Sequence, residues 1–64
     1  MSKETIKLVI DVIKENGGLA TFHRTPAFVV HKAVMLVTKD KYPHLTEKEI
    51  YEALDWIRET LDNK

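Results

Sequence analysis

Cysteine is absent from this sequence. Disulfides and thiolate metal sites are thereby excluded as staples for a short chain, and the redox compartment is left open, with the cytoplasm as default. Long apolar runs are missing too. No segment approaches the ~18 consecutive apolar residues of a membrane span, and Ile6–Ile13 is broken by Lys7 and Asp11, unlike the core of a signal peptide. The expectation is a soluble, unprocessed chain with no membrane partner. An excess of one charge sign is also lacking, since ten Lys plus Arg balance ten Asp plus Glu.

That balance conceals a segregation. Residues 1–16 carry three of each sign; residues 17–45 hold Arg24, Lys32, Lys39 and Lys41 against Asp40 alone; residues 46–64 hold three basic and six acidic groups. A basic middle and an acidic tail could steer two copies together, although excesses this small are also what two solvated faces look like. At 64 residues the chain is one domain, residues 1–64, and a domain of this size buries only about 60% of its unfolded surface. Self-association is therefore an expectation from size alone.

Apolar residues gather in three stretches. In Lys3–Asn16, Ile6, Val9, Ile10 and Ile13 recur at helical spacing, with Leu8 and Val12 widening the stripe. Gly17-Gly18 then closes that helix, because glycine accepts the left-handed conformation without a Cβ penalty. A phosphate-cradling loop would need GxGxxG or Gly-Lys-Ser/Thr, and neither is present. Leu19–Arg24 reads as an ordered connection, apolar enough through Leu19, Ala20 and Phe22 to tuck against the core, with a 3₁₀ turn or short extension possible within it.

The second stretch, Thr25 to Val37, is the most apolar and is read as the organising helix. Thr25 and Pro26 supply a start signal, cap and first-turn proline. On a wheel of 100° per residue, Val29, Val30, Ala33, Val34, Leu36 and Val37 fill one arc of roughly 160°, which is read as core. Phe28 and Met35 fall on the other side, flanking His31 and Lys32. The β-branched residues of Ala27–Val30 and Val34–Thr38 keep a strand reading open, but the run exceeds usual strand length.

Tyr42-Pro43 turns the chain, and Leu45–Ile50 opens the third helix with three linked signals. Thr46 is the N-cap, Glu49 its capping-box partner, and Leu45 with Ile50 a hydrophobic staple. Ile50, Ala53, Leu54, Ile57 and Leu61 then form one stripe, with Trp56 and Tyr51 on its shoulders. The architecture expected is an all-α, small three-helix bundle with helices at about residues 3–16, 26–39 and 47–61.

The run Tyr42-Pro43-His44-Leu45-Thr46, followed by Ile50 and Ala53-Leu54, resembles the closing segment of the family catalogued as domain of unknown function 433. The resemblance covers Tyr42–Leu54, with fainter echoes in Gly17-Gly18 and Arg24-Thr25-Pro26. It implies a helix-turn-helix-like, antitoxin-like module. Leu45-Thr46 with Glu49–Leu54 is also similar to the helix that precedes the recognition helix in ferric-uptake-type winged-helix regulators.

Candidate chemistry is sparse. His23, His31 and His44 contain no i, i+4 pair able to grip a metal from one helix, so no metal or cofactor is expected. Glu47 and Glu49 are accounted for by the helix dipole, and Ser2 is a poor nucleophile. An enzyme is not expected. What remains is contact: a homodimer with Phe28, His31, Lys32 and Met35 near its interface and Tyr51 and Trp56 as rim contacts. The function expected is a protein-interaction or regulatory module acting as a homo-oligomer. The alternative is a helix-turn-helix DNA-binding or antitoxin-like protein, with Arg24, Lys32, Lys39 and Lys41 on phosphates; acidic residues along the third helix oppose it.

Overall fold

The computed structural model of the protein describes residues 2–63, and among them four helices follow one another: α1 (Lys3–Glu15), α2 (Gly18–Arg24), α3 (Ala27–Lys41) and α4 (Glu47–Asp62). The all-α expectation holds, but the three-helix count is corrected to four. The extra helix is α2, which occupies the stretch expected as an ordered loop. Gly17 and Gly18 have φ of +117° and +85°, so the left-handed turn that ends α1 leads directly into a new helix. Pro26 ends α2 two residues later than its last helical residue by holding Thr25 in extended backbone.

Thr25 plays a different part from the one its sequence position suggests. Its Oγ1 donates to the carbonyl of Thr21 at 2.8 Å, closing α2 behind it rather than capping α3 ahead. Pro26 is the N-cap of α3 and offers no side-chain hydrogen bond. The helix begins at Ala27 and runs to Lys41, later at both ends than expected.

The start of α4 follows local chemistry closely. Thr46 Oγ1 accepts from the Glu49 N–H at 3.2 Å, and the Glu49 carboxylate accepts from the Thr46 N–H at 3.2 Å, a reciprocal capping box. Leu45 and Ile50, the staple pair, are both buried. Ser2 caps α1 through the Thr5 N–H.

The core is shared by all four helices. Val9, Val12 and Ile13 come from α1, Phe22 from α2, Val34 and Met35 from α3, and Ile50, Ala53, Leu54 and Ile57 from α4, with Leu45 closing one end. α1 packs against each of the other three helices, and α3 packs against α1 and α4. No helix is long and apolar enough to cross a membrane among the described residues.

Candidate interaction surface

The decisive geometry is the orientation of α3. Its buried residues are His31, Val34, Met35 and Thr38, which lie about 130° around the helix from the centre of the arc read as core. Of the six residues in that arc, Val34 alone is buried and Val30 is half-buried. Val29, Ala33, Leu36 and Val37 face out. The sequence reading of the core face is thus overturned.

Two polar residues make this orientation possible. Thr38 is fully buried and donates to the Val34 carbonyl at 2.7 Å, so its hydroxyl is satisfied within its own helix. His31 stacks on Phe22 with ring centroids 5.6 Å apart and planes within 3°. Arg58, on α4, covers the same ring, its Cζ 4.8 Å from the Phe22 centroid, and its Nε donates to His31 Nε2 at 3.4 Å. With Nε2 accepting, the ring proton is assigned to Nδ1, which faces an Asp55 carboxylate oxygen at 3.5 Å.

Arg58 also closes α2. Its two terminal nitrogens donate to the carbonyls of Phe22 at 2.9 Å, Thr25 at 2.8 Å and His23 at 3.3 Å, at the C-terminal end of α2 where helix carbonyls lack a full set of partners. One guanidinium therefore ties α2, α3 and α4 together. Burial first, and then the neighbouring Arg58 charge, hold the His31 pKa below its ordinary 6.5, while Asp55 pulls the other way. Nothing in the local pattern around Arg58 announces this role, because its partners are 27 to 36 positions away in sequence.

The residues expected at an interface are accordingly divided. Phe28 is 85% exposed and Lys32 is exposed, but Met35 at 5% and His31 at 7% lie inside the fold. They fill the core of the single chain, so they offer almost no surface to a second one. Tyr51 is half-buried against the core. Trp56, 44% exposed, stands over a second shallow groove with Ile10, Leu19, Ile57, Thr60 and Leu61. Sequence reasoning missed Val29, Ala33, Leu36 and Val37 as surface, having assigned them to the interior.

The outward face of α3 is unusual for a solvated helix. Val29, Leu36 and Val37 are 51%, 56% and 42% exposed, with Ala33 exposed at their centre. Beside them, Val30, Ala33, Val34 and Val37 form a shallow apolar groove with Val12 of α1 and Asn16, which caps that helix. Its volume is about 140 Å³, below the roughly 300–1,000 Å³ of a small-molecule site. Such a groove takes protruding side chains.

Of the four candidate phosphate contacts, Lys39 donates to the Leu45 carbonyl at 2.8 Å and Lys41 pairs with Glu15 at 2.6 Å. Arg24 reaches Thr21 Oγ1 at 3.4 Å, and Lys32 is exposed beside Phe28. His23 pairs with Asp62 at 2.6 Å, joining the end of α2 to the end of α4. Among the described residues no three or more His, Asp or Glu side chains converge as metal ligands, and every buried side-chain nitrogen and oxygen has a partner. No protein-family model, curated protein or solved structure matches this chain.

Proposed function

We propose that this chain is a non-enzymatic protein-interaction module that acts as a homo-oligomer, using the outward face of α3 as its contact surface. One observation carries the reading. Four apolar residues in succession along one side of α3, Val29, Ala33, Leu36 and Val37, remain in solvent although the chain has already built a core from all four helices. Scattered apolar residues on a surface are ordinary, whereas a contiguous apolar face on a small chain is often functional.

The reading is tested by light scattering on the eluted protein across a concentration series, with Leu36→Glu alongside. Association that rises with concentration supports it, and a monomer throughout removes it. A titration with duplex DNA at low and moderate salt tests the helix-turn-helix alternative, which requires binding that weakens steeply as salt is added.

A further inference from the structure

The contact surface has an internal symmetry that selects its partner. Around Ala33, the outward apolar residues of α3 are arranged nearly as a palindrome: Val29 and Val30 precede it by four and three positions, and Leu36 and Val37 follow it by three and four. At 1.5 Å per residue these sets lie about 4.5–6 Å on either side of Ala33 along the axis. Around the helix, Val29 and Leu36 fall on one flank of Ala33 while Val30 and Val37 fall on the other.

We infer that the partner is a second copy of this chain, docked with its α3 antiparallel to the first and the two-fold axis passing beside Ala33. A two-fold perpendicular to the helices carries each residue to the same flank at the mirrored height. Val29 of one copy then meets Leu36 of the other, Val30 meets Val37, and Ala33 meets Ala33. Every exposed apolar side chain on this face is matched by an apolar one. A parallel pair would instead bring opposite flanks together at equal height, Val29 over Val30 and Leu36 over Val37, and would set the two α3 dipoles and the Lys39 and Lys41 ends side by side, which the antiparallel pair avoids.

Size is consistent with this occupant. Fifteen residues make α3 about 22 Å long, so its outward face makes a short seam. A seam of that length belongs at the small end of specific interfaces, which begin at roughly 1,000 Å², and so among weak, concentration-dependent ones. Ala33 at the crossing point lets the backbones approach closely. Val30 and Val37 of the second copy then come over the groove walled by Val12, Asn16 and Val34. Lys32 lies off the seam on the Leu36 flank, where its aliphatic stem can cover the partner's Leu36 while the ammonium stays in water.

This inference rests on the reading of α3 as the contact face, and cysteine cross-linking separates the two. The natural sequence has no cysteine, so single-cysteine variants report on one position each. All three sites used are exposed, and circular dichroism confirms that each variant is folded. Under mild oxidation Ala33→Cys is expected to form a disulfide-linked dimer. Val29→Cys and Leu36→Cys alone should stay more than tenfold less cross-linked than Ala33→Cys, yet form a mixed disulfide when combined. Self-linking of Ala33→Cys without a mixed disulfide between Val29→Cys and Leu36→Cys would mean a parallel pair and overturn the inference while sparing the α3 reading. A dimer by light scattering with no cross-link at any of the three positions would overturn both, placing the contact elsewhere.

Discussion

Replacing Arg58 with leucine removes the side chain that ties three helices together, and the cost can be worked from its partners. The guanidinium donates to the Phe22 and Thr25 carbonyls at 2.9 and 2.8 Å, more loosely to His23, and covers the Phe22 ring. A hydrogen bond to a charged group contributes about 1.5–3 kcal/mol when buried. Here Arg58 is half-exposed and the freed carbonyls, at a helix end, can turn to water, so the sum must be discounted. The expected loss is about 2–3 kcal/mol, a large share of the roughly 3–10 kcal/mol that stabilises a domain of this size. Urea unfolding at fixed protein concentration measures it, and fixing the concentration keeps association out of the comparison. The melting temperature should fall by about 10 °C or more. Arg58→Lys keeps the charge without the planar fork and should recover only part of the loss. If Arg58→Leu unfolds within about 0.5 kcal/mol of the parent, the guanidinium does not hold α2 in place.

Acidification should destabilise the fold through His31. Its folded pKa lies below the ordinary 6.5, so between those two values the unfolded chain binds more protons than the folded one. Stability is complete above pH 6.5 and is lost as pH falls through the lowered folded value. Urea midpoints at pH 7.5 and 5.5 should differ, and His31→Leu should flatten the difference; an unchanged slope in that variant would refute the assignment. Thr46→Ala should cost about 1 kcal/mol through loss of the α4 cap, read as a shift in denaturant midpoint, and an unmoved midpoint would show the box to be dispensable. Met35→Ala should cost about 2–4 kcal/mol, whereas Phe28→Ala, under conditions where the chain is monomeric, should stay within about 0.5 kcal/mol. The reverse order would mean that Phe28, and not Met35, is the side chain buried by α3.

What the sequence disclosed was local. Ile6, Val9, Ile10 and Ile13 repeat on one side of α1, Gly17-Gly18 turns in the left-handed region, and Thr46 with Glu49 needs only three residues to close its box. α3 defeated the same method because apolar residues ring it on nearly every side, so the wheel has no polar face to point outward. The deciding information lay in His31 and Thr38, which look like surface residues until their partners are known. Thr38 satisfies itself on Val34, and His31 is received by Phe22 and Arg58, one from a helix that was expected to be a loop. α2 itself is seven residues long, too short to show a period, and is tied to the rest of the fold through buried Phe22 and the Arg58 bonds at its end. The expected partner face failed at His31 and Met35 for the same reason: exchanging the inner and outer sides of α3 moved them inside and brought Val29, Leu36 and Val37 out.

Sedimentation equilibrium of the parent chain and of Leu36→Glu, each with circular dichroism, tests most directly whether the outward face of α3 is a contact surface. Leu36 is 56% exposed, so the substitution leaves the core untouched and burdens only an interface. The account predicts a parent whose average mass climbs from monomer toward dimer as concentration rises, and a variant of equal helix content that remains monomeric. A parent that stays monomeric into the millimolar range, or a Leu36→Glu variant that associates as strongly as the parent, would contradict it.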